Sequence, residues 1–410
     1  MLKIYISNAL PIAIKIIGGL FLLQAFVAYL GQDGLGLASQ YQSVITMSYG
    51  IFNALIFNYA VKNQWSERSG AADFTAFLIW IIRLSLGLAF GIGLLSWPLA
   101  WLIFDNIDYA IYMIFAALQM PLVAVYIALS AKMCAHKKQV KYNALVAAST
   151  LVAMYTVWYF AKYFTIAEVL TALAFFYVPA FILQVYAARI ELKEMKLKWF
   201  EKKLKYDYRP VVKISSVAVV SAFLAIAVQI TARKIIMNEA GWETVGQWQI
   251  VNKISESYLL LASIPLFTFF LPKYAALASD GEKKALLLKI IGISTMIIGA
   301  AGTLIFFMWN LLANLIIGEQ FSELQPVFGI QVVGDIFKII CWVLVTAALG
   351  DNKLKLVICI EIIFAIFYCG LVYCFFPALG LSAAIASYGV AYFFIAIALI
   401  SIYLRKFNEK

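Results

Sequence analysis

Charge is scarce in this chain. Lys, Arg, Asp and Glu make up 13% of its 410 residues, about half of what a soluble globular domain carries. With 64% of the residues hydrophobic, too few polar side chains remain to clothe a water-facing surface. A soluble enzyme or a nucleic-acid-binding domain is thereby excluded. Histidine occurs once, as His136 in the basic stretch Lys132–Lys141, where it reads as a solvated loop residue. The cysteines (Cys134, Cys341, Cys359, Cys369 and Cys374) show no C-x-x-C spacing, so packing is expected of them and a metal site is not. No glycine-rich phosphate loop and no catalytic constellation is present, which argues against a nucleotide-driven pump and against an enzyme, and no cofactor is implied. The first apolar stretch begins near Ala9 and lacks a small-x-small cleavage site, so it reads as a first span and not as a removable signal.

What the chain has is apolar runs of about 20 residues, each long enough to cross some 30 Å of hydrocarbon. They are continuous and do not alternate in ten-residue segments, so they read as helices and not as barrel strands. Spans are expected near 9–30, 41–61, 75–95, 109–131, 143–161, 166–187, 214–237, 245–271, 286–308, 325–349, 356–376 and 379–404. Positive charge falls in every second connection. Lys3 precedes the first span, Lys62 and Arg68 follow the second, and Lys132, Lys137, Lys138 and Lys141 follow the fourth. Nine Lys or Arg lie between Arg189 and Lys213, after the sixth. The alternation continues with Lys273, Lys283, Lys284 and Lys289, then Lys353 and Lys355, then Arg405, Lys406 and Lys410. The other connections carry Asp33, Asp105, Asp108, Glu319 and Glu323, with Lys162 the clear exception. By the positive-inside rule both termini are cytoplasmic. The expected fold is an all-α membrane protein of twelve transmembrane helices.

The basic stretch divides the chain into residues 1–190, a six-helix lobe, a basic cytoplasmic linker over 191–213 held at anionic headgroups, and residues 214–410, a second six-helix lobe. An internal repeat supports the division. Gly31-Gln-Asp-Gly-Leu-Gly36 recurs as Gly241-Trp-Glu-Thr-Val-Gly246 at an offset of 210, and Gln119 with Lys141 recurs as Gln331 with Lys353 at an offset of 212. Two pseudo-symmetric lobes related by a parallel repeat place a substrate site between them.

Ionisable residues inside spans are the candidates for function, because a charge at mid-bilayer costs on the order of 3 kcal/mol or more. The cations are Lys15, Arg83, Lys253 and Lys338, with Arg233 and Lys234 toward the outer end of the seventh span. The acids are Glu256, Asp335 and Glu361, possible ion sites or charge-pair partners. Gln249, Asn252, Lys253 and Glu256 fall on one helical face, and Gln331, Asp335 and Lys338 on another. Gln42, Thr46, Tyr49 and Asn53 make a neutral stripe on the second span. Such stripes suit the walls of a water-filled cleft; alternatively Lys253–Glu256 and Asp335–Lys338 are i,i+3 ion pairs that only neutralise each other. Arg83 either faces the cleft or snorkels to the cytoplasmic face. Pro11, Pro121, Pro179 and Pro265 lie within spans and imply kinks or broken helices, usable as bending points. Trp248, Tyr258 and Trp342 are candidate sugar-stacking surfaces. Cations outnumber acids in the membrane zone, so the expected cargo is anionic and bears phosphate or carboxylate.

The stretch Glu243-Thr-Val-Gly-Gln-Trp-Gln-Ile-Val-Asn-Lys-Ile-Ser-Glu-Ser-Tyr258, preceded by Arg233-Lys234, resembles the Wzx-type lipid-linked oligosaccharide flippases, most of all the type that moves lipid III in enterobacterial common antigen synthesis. So do Gln331-Val-Val-Gly-Asp-Ile-Phe-Lys338, Gly34-Leu-Gly-Leu-Ala38, Ile56-Phe-Asn58, Lys62 and Lys15. The family belongs to the multidrug/oligosaccharidyl-lipid/polysaccharide superfamily. The resemblance implies a two-lobed, multi-pass protein of the cell inner membrane. It would carry an undecaprenyl-pyrophosphate-linked glycan, either an O-antigen repeat unit or common-antigen lipid III, from the inner to the outer leaflet by alternating access. Membrane lipids, and the polymerase and chain-length components of the same pathway, are the implied partners. Lys253 departs from the small polar residue expected there, and Arg83 has no counterpart in the pattern. The rivals are a multidrug exporter of the same fold and an O-antigen polymerase. The first needs acids deep in the first six spans, and the second needs a long periplasmic loop; neither feature is evident.

Overall fold

The structure, a computed structural model, describes residues 2–62, 71–135, 138–189 and 208–408. Arg68, His136, Lys137 and the basic stretch up to Asp207 lie outside the described residues. Helix is the regular secondary structure of every described element, as expected of a chain whose backbone must satisfy its own hydrogen bonds away from water. In order these are α1 (Leu2–Lys62), α2 (Ala71–Leu94), α3 (Ser96–Phe104), α4 (Ala110–Ala135), α5 (Gln139–Tyr163), α6 (Ile166–Ala174) and α7 (Val178–Ala187). Then follow α8 (Arg209–Pro265), α9 (Leu271–Ala276), α10 (Asp280–Phe307), α11 (Trp309–Leu312), α12 (Gln325–Gly350), α13 (Leu354–Leu379) and α14 (Leu381–Asn408).

Among the described residues, ten helical segments are long and apolar enough to cross a membrane. Two are much longer than one crossing requires: Ala13–Ile56 with 44 residues and Ser215–Ala276 with 62. Each is bent at a glycine, Gly31 in α1 (φ 73°, ψ −175°) and Gly241 in α8 (φ 79°, ψ 175°). That backbone region is open in practice to glycine alone. The two glycines are the first residues of the repeated hexapeptides, so the repeat seen in sequence is also a repeat of backbone conformation.

The prolines act as expected in part. Pro11 and Pro121 sit inside α1 and α4, and Pro265 ends α8 where a π-helical turn, Leu266–Phe270, follows. Pro179 starts a helix: the expected span over 166–187 is divided into α6 and α7 at Phe175–Tyr177, and Pro179 occupies the first turn of α7, where its missing N–H is not needed.

The chain forms two compact units. The first comprises Met1–Leu30 and Ala38–Ile230; the second comprises Gly31–Leu37 and Thr231–Lys410. The core of the first unit is apolar, built by Phe52 and Ile56 of α1, Phe77 and Ile81 of α2, and Val123 and Ile127 of α4. Tyr49, Tyr126 and Tyr177 stack on one another beside it, the Tyr49 and Tyr177 rings 4.9 Å apart and 6° from parallel. Ser215 of α8 donates to the Leu55 carbonyl at 2.9 Å, tying the first part of α8 to α1.

In the second unit α12 packs against α10 and α14. A Cβ on Gly302 of α10 would stand 2.6 Å from Val332 Cγ1, and one on Gly334 of α12 would stand 3.1 Å from Gly389 Cα of α14. The first glycine leaves room for the Val332 side chain, and the second lets the backbones of α12 and α14 approach closely. The repeated hexapeptides also meet within this unit, reciprocally. A Cβ on Gly36 would lie 2.4 Å from the Trp242 carbonyl oxygen, and one on Gly246 would lie 2.3 Å from the Gln32 carbonyl oxygen. The Gln247 amide donates to Gln32 Oε1 at 3.0 Å across the same crossing.

Candidate functional site

The buried charges gather in the second unit. Asp335 of α12 has no solvent exposure. Removing a carboxylate from water costs several kcal/mol unless hydrogen bonds replace the lost ones. Here four donors do so. Gln331, one helical turn earlier, donates to Oδ1 at 3.0 Å and Tyr388 of α14 donates to Oδ1 at 2.7 Å. Ser255 of α8 donates to Oδ2 at 2.7 Å, and the Tyr258 hydroxyl also donates to Oδ2. Ser255 and Tyr258 are three residues apart, which puts them on one face of α8.

Lys338, almost one turn beyond Asp335, is half-buried. Its ammonium lies over the rings of Trp342, Tyr388 and Tyr392, at 5.1, 5.2 and 5.9 Å from the centroids, within the range of cation–π attraction. Asp335 and Lys338 interact electrostatically but make no ion pair within 4 Å among the described residues, and each has its own set of nearer partners. Lys253 and Glu256 do form such a pair, at 3.7 Å with side chains 31% and 43% exposed.

Arg233 is 3% exposed. Its Nη2 donates to Gln249 Oε1 at 2.8 Å, and its guanidinium lies 5.2 Å from the Trp248 ring centroid. Asn252 donates to the Trp248 carbonyl at 2.9 Å, so it props the backbone of that indole. Lys234, beside Arg233, and Glu361 of α13 are half-buried in the same unit. Lys15 of α1 and Arg83 of α2 belong to the first unit and are exposed.

Trp248 and Tyr258 are 3% and 4% exposed. Neither presents a free face for a sugar, because Arg233 covers one and the Asp335 cluster encloses the other. Tyr388 and Tyr392 escape sequence reasoning. Their i,i+4 spacing is visible on α14, but tyrosines in apolar helices look the same whether they line a belt or hold a lysine.

The repeat places this chemistry in one unit only. By the offset of 212, Gln331, Asp335 and Lys338 correspond to Gln119, Val123 and Tyr126. Gln119 is 1% exposed and neither end of its amide has a hydrogen-bond partner among the described residues. The glutamine is present in both halves; its charged company is present in the second alone. Among the described residues no cluster of His, Cys, Asp and Glu could hold a metal ion.

No family model matches the chain. It is similar to the lipid III flippase of Escherichia coli strain K12, 23% identical over 371 residues that cover 88% of each chain, and to the lipid III flippase of Shigella flexneri to the same extent. In three dimensions it resembles an inward-facing multidrug resistance MATE family transporter of the MOP superfamily. The TM-score is 0.72 at 13% identity, covering 99% of this chain and 98% of that one. It also resembles the lipid II flippase MurJ in an inward closed conformation, with a TM-score of 0.71 at 11% identity, covering 98% and 87% of the two chains. The fold is thus the all-helical fold of these transporters.

Proposed function

We propose that the chain is a flippase of the inner membrane that carries a polyprenyl-pyrophosphate-linked oligosaccharide from the inner to the outer leaflet by alternating access. The glycan is an O-antigen repeat unit or the common-antigen lipid III. In this reading the chain crosses the bilayer twelve times, α1 and α8 each crossing twice, in six-helix lobes over 1–190 and 214–410 joined by the basic linker, with both termini in the cytoplasm. Polymerase and chain-length components would take the flipped product.

The observation that carries the reading is the setting of Lys338 in the second unit. Arg233 is met by an amide and an indole, and Lys338 by three rings. Among the described residues Lys338 makes no ion pair with a carboxylate within 4 Å, so it is suited to an anionic headgroup. A charge-assisted contact to phosphate contributes about 1.5–3 kcal/mol. The similarity to lipid III flippases over 88% of the chain points the same way. An outward-directed anion would also gain from the membrane potential, roughly 2.3 kcal/mol per charge per 100 mV, so alternating access can run without nucleotide.

The test is reconstitution. Vesicles carrying a fluorescent pyrophosphate-linked glycan should show protein-dependent flipping that responds to an imposed potential. Alanine at Lys15, Arg233, Lys234 or Lys338 should reduce flipping at normal protein level. If all four variants flip normally, the cationic-site reading is wrong. A multidrug exporter, the rival suggested by the shared fold, would leave the glycan lipid unmoved and expel a cationic dye.

A further inference from the structure

We infer that Tyr388 is a positioning residue: it holds Lys338 so that the lysine's N–H donors stay open to an incoming anion. The inference rests on the flippase reading above and deepens it.

Tyr388 touches both charges of the cluster at once. Its hydroxyl donates to Asp335 Oδ1 at 2.7 Å, and its ring lies under the Lys338 ammonium at 5.2 Å. The close approach of α12 and α14 at Gly334 and Gly389 makes this possible. A Cβ on Gly334 would stand 2.7 Å from Tyr388 Cδ1, so the phenol lies across the gap that the missing side chain leaves. Tyr392 braces it edge-on, ring centroids 4.9 Å apart at 76°, and Tyr368 braces it from another side at 6.3 Å and 79°.

The chemistry of the cage matters. Lysine is a point charge on a flexible four-carbon stem, with three donors that can turn. A carboxylate partner would fix the ammonium but consume its donors. Rings fix it through their quadrupoles and leave the donors unspent. Among the described residues the Lys338 ammonium makes neither a hydrogen bond nor an ion pair; its direct partners are Trp342, Tyr388 and Tyr392. Asp335, held by four donors, anchors Tyr388 and supplies negative potential nearby without occupying the lysine. The unspent donors of the ammonium can then turn to phosphate oxygens.

The experiment is a double-mutant cycle on purified protein in vesicles, with a fluorescent polyprenyl-pyrophosphate-linked glycan as probe and rates taken per folded molecule. Tyr388→Leu, which removes ring and hydroxyl, should raise the KM for the probe at least tenfold. Tyr388→Phe, which keeps the ring, should stay within about threefold of the parent. In a Lys338→Ala background both substitutions should cost nothing further, because the lysine they position is gone. The inference is overturned if Tyr388→Leu leaves KM unchanged, or if its effect multiplies with that of Lys338→Ala, the mark of a merely structural role. Should the leucine variant fail to accumulate, Tyr388→Phe carries the same cycle: a small loss in the parent background must vanish in Lys338→Ala. Parent protein that flips no probe would instead sink the flippase reading itself, whatever Tyr388 does.

Discussion

Lys283 of α10 donates to Asp351, which closes the C-terminal end of α12, at 2.9 Å; the side chains are 16% and 7% exposed. The Tyr274 hydroxyl donates to the other carboxylate oxygen at 3.3 Å, and the Lys283 ammonium lies over the Tyr274 ring at 5.2 Å. Three elements, α9, α10 and α12, are thus fastened at one point.

Asp351→Ala should lower stability by about 1–3 kcal/mol, because it leaves a largely buried lysine and a phenol without their acceptor. The measurement is thermal unfolding in detergent. Lys253→Ala, which breaks the half-exposed pair at 3.7 Å, should move the midpoint little, since exposed pairs contribute about 0–1 kcal/mol. Equal shifts for the two would contradict the burial argument.

The two bends should respond alike. Gly31→Ala and Gly241→Ala introduce no steric contact, since nothing lies within 4 Å of either Cβ. They force a side chain into positive φ, at a cost of about 1–3 kcal/mol each. Gly87→Ala and Gly91→Ala also meet nothing within 4 Å but sit in ordinary helix, so they should be neutral or slightly stabilising. Chemical denaturation of the four variants separates backbone strain from loss of a glycine as such.

Gly246→Ala should be worse than Gly241→Ala. Its Cβ would press to 2.3 Å on a carbonyl oxygen, and backbone cannot step aside as a flexible side chain can. Loss of folded protein, or a clear drop in melting temperature, is expected for it and for Gly36→Ala. Normal melting in both would mean that the hexapeptides do not pack as described.

Topology can be read with reporter fusions. Fusions after Asp105 and after Glu319 should report the periplasm, and fusions after Lys138 and Lys203 the cytoplasm. A periplasmic signal at Lys203 would break the six-plus-six arrangement.

Much of the fold was legible because the bilayer imposes one long-range rule on composition. Apolar runs of sufficient length, and basic residues in alternate connections, declare helices without any knowledge of packing. The Gly31 and Gly241 bends were legible as a repeated hexapeptide. Pro179 was legible as a kink or a break in its span, but local sequence does not reveal that the break falls at Phe175–Tyr177, just before it. The candidate site was legible in its charges and not in its partners. Asp335 and Lys338 stand out as ions in an apolar run. Tyr388 is 53 residues away from Asp335, and only the meeting of α12 with α14 makes it a ligand of both. Spacing along one helix left a cleft wall and an ion pair both open, and contacts between helices supply the nearest partners of each charge.

The reciprocal crossing of the hexapeptides also bears on how the chain is made. Gly31–Leu37 packs with residues that are synthesised some 210 positions later. During translation the Gln32 carbonyl cannot meet Gly246 until α8 emerges, after the rest of α1 and α2 to α7 have been made. Contacts so distant in sequence form late and slowly. The crossing is therefore a checkpoint of assembly: a chain truncated before Gly246 should insert its early helices yet remain open to proteolysis near Gly31, and the full-length chain should become resistant there only once the second hexapeptide is in place.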